Sequence, residues 1–145
     1  MADALSVKYQ ANPTTYSQDV INYYLVFMAH HNTTGILGEQ MALEYLHEKG
    51  FTILHQNWRH SHWEVDIIAS LGNVLHFIEV KTRRNTKFGY PEDGVTKKKI
   101  TNLINASEEF LILYPDWKRI QFDILSINLN RDKPADFFFI EDVSV

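Results

Sequence analysis

Two apolar arms meeting at a tight corner, with charges set inside them, constrain this chain more than any other stretch. The first arm is Glu64-Val65-Asp66-Ile67-Ile68-Ala69-Ser70 and the second is Val74-Leu75-His76-Phe77-Ile78-Glu79-Val80-Lys81, joined by Leu71-Gly72-Asn73. Val, Ile and Phe on either side of a Gly-Asn corner predict a β-hairpin. Strand side chains alternate between faces, so Glu64 and Asp66 are expected on one face of the first arm. Glu79 and Lys81 share a face of the second, roughly 6.5–7 Å apart along the strand. Carboxylates and an ammonium among apolar strand residues are costly unless they are paired or bind a metal.

The residues allow two readings. Glu-x-Lys is an exposed strand face in many proteins, and alone it specifies little. Carboxylates converging from neighbouring strands, by contrast, repel each other, and a divalent cation relieves the repulsion. Mg²⁺ and Mn²⁺ prefer such oxygen ligands, with waters and substrate phosphate completing the shell. A lysine alongside would stabilise charge on a phosphoryl group or orient the attacking water. Asp66, a hairpin, then Glu79-x-Lys81 therefore points to a metal-assisted phosphodiester hydrolase.

The remaining composition narrows the class. A chain of 145 residues with 45% hydrophobic content suits one domain with a real core. The absence of cysteine excludes disulfides, thiolate zinc ligands and a cysteine nucleophile. No run approaches the roughly 18 apolar residues of a membrane span, and no signal peptide is evident, so a cytoplasmic protein without membrane contact is expected. The net charge of −4 does not describe a general nucleic-acid binder, but its distribution is uneven. Between Lys81 and Lys99 there are seven basic residues (Lys81, Arg83, Arg84, Lys87, Lys97, Lys98, Lys99) against two acidic ones (Glu92, Asp93), so this window carries +5 and the rest −9. Such a segment is either a solvated surface or a binding surface for a phosphate backbone.

Along the chain, residues 1–27 fit poorly with the remainder and read as an N-terminal extension, disordered or a start-site artefact. Val20, Ile21, Tyr24, Leu25 and Met28 have helical spacing there. A helix is predicted from about Gly35 to Lys49 on the stripe Leu37, Met41, Tyr45 and Leu46, ended by Gly50. Glu39 lies in its first turn, where an acid interacts favourably with the helix dipole. A strand is predicted over 51–58, then a polar link, Arg59 to His62, enters the hairpin. His60-x-His62 lacks the helical spacing or cysteine partners usual for zinc and reads better as a surface loop. After Thr82 the glycines and proline through Gly94 mark a loop, in which Phe88 and Tyr90 either stack on unpaired bases or fold back on the core. Thr96 is the expected N-cap of a second helix with Lys97, Lys98 and Lys99 in its first turn, against the dipole. Two strands, 119–130 and 135–141, complete the chain. Asp123 is expected to orient a neighbour, and Phe137-Phe138-Phe139-Ile140 to be covered on both faces.

Gly35, Gly38-Glu39, Ala42, Leu46, Gly50, Asn57-Trp58-Arg59, Glu64-Val65-Asp66-Ile67-Ile68-Ala69, Phe77-Ile78-Glu79-Val80-Lys81-Thr82-Arg83, Gly89, Val95-Thr96, Lys99 and Gln121-Phe122-Asp123 together carry a resemblance. The pattern resembles the PD-(D/E)xK nuclease superfamily, and more closely its YraN-like bacterial family, related to Holliday-junction resolvases. Residues 28–145 then form a nuclease-like domain. Trp63 stands where that family usually has glycine, and Gln121 where arginine is usual. The resemblance implies an α/β fold with a restriction-endonuclease-like core, a mixed β-sheet flanked by helices. It implies Mg²⁺ or Mn²⁺ on Asp66 and Glu79, catalysis by Asp66, Glu79, Lys81 and Glu39, support from Glu64, and DNA, possibly branched in structure, held by Arg83, Arg84, Lys87, Lys97, Lys98 and Lys99. The alternative on the same fold is a nucleic-acid-binding or protein-interaction module without turnover.

Overall fold

The computed structural model describes residues 34–84, 95–130 and 132–144. The elements are α1 (Thr34–Glu48), β1 (Thr52–His60), β2 (Trp63–Leu71), β3 (Val74–Arg83), α2 (Lys97–Leu113), β4 (Arg119–Asn128) and β5 (Asp136–Ile140). The extension 1–27 and the loop bearing Lys87, Phe88 and Tyr90 lie outside the described residues.

The five strands form one sheet in chain order, β1-β2-β3-β4-β5. β1–β2, β2–β3 and β4–β5 are antiparallel, while β3 and β4 run parallel, from Val74↔Arg119 to Arg83↔Asn128. A parallel pair requires a crossover, and α2 lies on that connection. The result is a mixed sheet flanked by helices, compatible with a restriction-endonuclease-like core.

Local chemistry sets each corner. Gly50, at φ 90, ends α1: its amide donates to His47 O (3.0 Å) and that of Phe51 to Leu46 O (3.0 Å). This paired closure favours glycine in the left-handed position. Gly72, at φ 59, turns β2 into β3, with Leu71 opposite Val74. The expected polar link between the first strand and the hairpin is shorter than its composition suggested. Arg59 and His60 belong to β1, and Ser61-His62 is a tight turn with Ser61 at φ 56. Thr96 caps α2 by accepting from Lys99 N (3.3 Å).

The sheet divides the core. Leu37, Met41, Ala42 and Leu46 of α1 pack on Ile67, Ala69, Ile78, Leu125 and Ile127. Leu103, Ala106 and Phe110 of α2 pack on Val65, Ile68, Leu75 and Phe77 on the other face. In β3, therefore, His76, Ile78, Val80 and Thr82 face α1, while Phe77, Glu79, Lys81 and Arg83 alternate toward α2. The continuous phenylalanine run does not mark a strand covered on both faces. β5 is an edge strand, and Phe138 is 41% exposed while Phe137 and Phe139 pack against the α1 cluster. Asp123 is fully buried, accepting from His76 Nδ1 (2.6 Å, with the ring tautomer setting which group carries the proton), Gln121 Nε2 (2.9 Å) and the Asp142 amide (3.0 Å). It orients β3, β4 and the C-terminal segment.

Gly38 sets how closely α1 approaches the sheet. A Cβ at this position would overlap the Thr82 side chain of β3. In a helix interior, Gly→Ala ordinarily gains about 1 kcal/mol, whereas overpacking costs about 1–3 kcal/mol. Thr82 is β-branched on a paired strand and has little room to yield. Gly38→Ala is expected to lower stability by on the order of 1–2 kcal/mol, read as a lower urea midpoint. An unchanged or higher midpoint would show that α1 shifts without cost.

Candidate functional site

Asp66 occupies a break in the strand pattern. Val65 and Ile68 both join the α2-side cluster, and Ile67 and Ala69 the α1-side cluster, so side-chain alternation slips at this point. The slip falls between Val65 and Ile67, at Asp66 itself. Opposite, in β1, Asn57 has φ 49, a conformation asparagine tolerates better than most residues. The β2–β3 ladder runs from Leu71↔Val74 to Ile67↔Ile78 and goes no further. Beyond it the Val80 amide donates to Asp66 Oδ2 at 2.8 Å. A carboxylate thus takes the place of a strand carbonyl where β2 and β3 part.

The electrostatics at this parting are unfavourable to a second negative charge. Burial first, then the Glu79 carboxylate, push Asp66 up to about 7 from 3.8; the Val80 hydrogen bond opposes this, and Glu39 and Glu64 add to it. Glu79 has its own cation: Lys99 Nζ, from the first turn of α2, lies 2.6 Å from Glu79 Oε1. Lys81 is pushed down, chiefly by Lys99 beside it, then by burial and a side-chain hydrogen bond with Lys99, with Arg83 adding and Glu79 opposing. The centre has an acidic half around Asp66 and a cationic half around Lys81.

Glu39 reaches the acidic half from α1 and accepts from Asn57 Nδ2 at 3.2 Å. An open cleft of about 200 Å³ lies there, lined by Ile36, Glu39, Gln40, Asn57, Asp66 and Ile67 among others. Glu64 points elsewhere: it pairs with Arg59 at 3.1 Å in an exposed bridge and makes no hydrogen bond to Asp66 among those described. Arg83 is half-buried at the end of β3, and Arg84, Lys97 and Lys98 are exposed. His60 stacks on Trp58 and lies 3.6 Å from Glu109, and His62 lies against Trp63, so neither joins the carboxylates.

Among the described residues, no three His, Asp or Glu side chains form a ready metal cage. The donor chemistry nevertheless suits a hard cation. Asp66 is a largely buried carboxyl crowded by three others, and the negative charge that costs it so much is one a divalent ion would neutralise. Three contributors escaped the sequence reading. Lys99 was expected on a nucleic-acid surface rather than on Glu79, although its unfavourable place at a helix N-terminus hinted at an anionic partner. Asn57 and Thr82 carried no signal beyond their place in the motif pattern.

Asp66 gives the apo protein a pH signature. Between 3.8 and about 7 the folded protein holds a proton that the unfolded chain has released, so stability falls as pH rises through this window. Asp66→Asn removes that dependence. Without divalent ions it should be no less stable than wild type at pH 5, and more stable by roughly 2–4 kcal/mol at pH 8. Parallel urea curves for the two proteins would contradict the assignment.

Residues 38–127, which span Glu39, Asp66, Glu79, Lys81 and Lys99, match the model of the family described as "Uncharacterised protein family UPF0102". A UPF0102 protein of Phocaeicola vulgatus is 45% identical over 100 residues, covering 69% of this chain and 83% of that one. One from Bacteroides thetaiotaomicron is 42% identical over the same shares. One from Dictyoglomus thermophilum is 44% identical over 98 residues, 67% of this chain and 83% of its own. The chain belongs to the UPF0102 family.

Proposed function

We propose that this chain is a Mg²⁺- or Mn²⁺-dependent nuclease of the PD-(D/E)xK superfamily that hydrolyses nucleic-acid phosphodiester bonds, with DNA, including branched DNA, as substrate. The observation that carries the reading is the raised, crowded Asp66 carboxyl beside Glu79 where β2 and β3 part, with Lys81 next along the same face of β3. Asp66 and Glu79 would hold the cation, and Glu39 would assist from the cleft. When bound, the cation supplies Lewis acidity and a more acidic water. Lys81 stabilises the negative charge that builds on the phosphoryl oxygens and orients the attacking water. The water oxygen bonds to phosphorus as the P–O bond to one nucleoside breaks, and the departing oxygen takes up a proton. Lys99 must share Glu79 for this to occur, so loading the centre and loosening that ion pair go together.

The exposed Lys97 and Lys98, with Arg84, extend a cationic surface from the centre and suit phosphate contacts along a nucleic-acid backbone. Lys87 falls outside the described residues and joins this surface by sequence position alone. We assign the activity to residues 28–145, with 1–27 dispensable. Among the described residues no helix is long and apolar enough to cross a membrane. A cytoplasmic setting, where nucleic acid and Mg²⁺ are at hand, fits the proposal.

A second reading has one observation in its favour: the Glu79–Lys99 pair at 2.6 Å satisfies Glu79 with no metal at all. On that reading the chain binds nucleic acid without turnover.

Calorimetric titration with Mn²⁺ separates the two. Wild type should bind, and Asp66→Asn should weaken binding by at least about tenfold, a loss of about 1.4 kcal/mol. With Mn²⁺ the stability order of the two proteins reverses, because the ligand now stabilises only the intact site. Equal affinity in both would remove the site from Asp66. On single-stranded, duplex and branched DNA, Lys81→Met should abolish the EDTA-sensitive cleavage of wild type while retaining Mn²⁺; absence of cleavage by wild type throughout would favour the binding module.

The cationic surface has its own test. Lys97→Gln with Lys98→Gln should make the dependence of DNA affinity on salt shallower by about 1–2 in log–log slope. An unchanged slope would return both lysines to the solvated surface.

A further inference from the structure

The cleft of about 200 Å³ between α1 and the first two strands holds more than the carboxylates that the proposed chemistry uses. Ile36, Gln40 and Leu43 line one wall. They stand at i, i+4 and i+7 and so form a single stripe along α1. Gln56 and Asn57 of β1 line the cleft as well. Gln56 is paired with Ile67, which packs on α1, and paired residues share a face, so the Gln56 side chain is on the α1 side of the sheet.

Two features of these walls suit an occupant. Gln40 is half-buried and Gln56 exposed, and among the described residues neither carboxamide has a hydrogen-bond partner. Ile36 stays 51% exposed, although Leu37 and Met41 on the same helix are buried. Carboxamides and aliphatic side chains offer no charge to a phosphate, and Glu39 and Asp66 in the same cleft would repel one. A flat, neutral ring with donors and acceptors along its edge is a better match. Each carboxamide carries two donors and an acceptor, the set with which glutamine reads base edges, and the aliphatic groups can cover a ring face. Pockets for drug-sized ligands hold about 300–1,000 Å³. This cleft is smaller, and admits a base more readily than a whole nucleotide. The cations of the centre, Lys81 and Lys99, come from β3 and α2 instead, so base and phosphate are separated as they are in a nucleotide.

We propose that the cleft between α1 and β1 is a base pocket, in which Gln40 and Gln56 hydrogen-bond the edge of one unpaired base while Ile36 and Leu43 lie against its face. The inference rests on the phosphodiester reading of the centre and deepens it by naming the substrate class: nucleic acid with a base free to leave its stack, as in single strands, flaps and mismatched sites. Extruding a paired base costs free energy that an unpaired base does not, so the pocket disfavours intact duplex.

The test is run in EDTA, so that nothing is cut. Affinities for a fluorescein-labelled oligo-dC, an abasic strand of equal length and a duplex are measured by anisotropy. The proteins are wild type, Gln40→Ala with Gln56→Ala, Ile36→Ala, and Lys97→Gln with Lys98→Gln. Wild type should hold oligo-dC more tightly than the abasic strand by about 5–100-fold. The double glutamine variant should lose about 3–30-fold on oligo-dC and stay within about twofold on the abasic strand and the duplex. Ile36→Ala truncates an exposed side chain and should show a smaller loss in the same sense. The lysine variant should weaken all three and keep their ratios, because it removes phosphate contacts alone. Equal oligo-dC affinity in wild type and the glutamine variant, an equal loss on the abasic strand, or no preference of wild type for oligo-dC over the abasic strand would each overturn the pocket. If wild type nevertheless binds Mn²⁺ and cleaves, the phosphodiester reading stands and only this inference falls. If wild type binds neither Mn²⁺ nor any of the strands, that reading fails and the pocket fails with it.

Discussion

The hydrogen bond from the Val80 amide to Asp66 Oδ2 is the contact on which the rest of the centre depends. Two antiparallel strands that part leave amides and carbonyls without partners, and a buried unpaired amide costs about as much as a lost hydrogen bond. Asp66 supplies the missing acceptor from a side chain. The exchange keeps the sheet's accounting closed while placing a carboxyl where a regular ladder would have placed inert backbone. Asparagine can supply the same acceptor, so a structural role and a charge role are separable at this one position. The slip in alternation and the left-handed Asn57 opposite are the backbone adjustments that make the placement possible.

Much of this architecture is legible in the chain because period and punctuation agree. Gly50 and Gly72 each stand where a left-handed residue is needed, Thr96 precedes a helical stripe, and the β-branched arms flank a Gly-Asn corner. The element order emerges from these signals. Other features are tertiary. Periodicity does not reveal that Phe138 lies on an uncovered edge, because strand order decides which apolar run is enclosed. Nor does it reveal the slip at Asp66, since alternation is the very rule that is broken there. Lys99 illustrates a third kind of blindness: its charge is plain in the sequence, but the fold determines which anion it meets.

The centre is also electrostatically divided. Acidic groups come from α1 and β2, and cationic groups from the end of β3 and from α2. Glu79 stands at the boundary and belongs to both, raising Asp66 on one side and holding Lys99 on the other. A site that carries charge of both signs at close range can accept a cation and an anion together more readily than either alone. On the proposed reading, metal and phosphate loading would be thermodynamically linked, each easing the repulsion that the other would meet.

The mixed sheet also dictates an order of assembly. β1, β2 and β3 form a meander of neighbouring segments joined by tight turns, so their pairing closes early. The parallel β3–β4 pair and the His76–Asp123 contact, 47 residues apart in sequence, require long loops to close. The acidic half of the centre is thus built from local contacts, and much of the rest from distant ones. Glu79 meets its cation, Lys99, only when α2 docks after the meander has formed. The crowding of Asp66 by Glu64 and Glu79 is therefore met as the meander itself closes, while the relief that Lys99 gives Glu79 waits for the later, long-range docking.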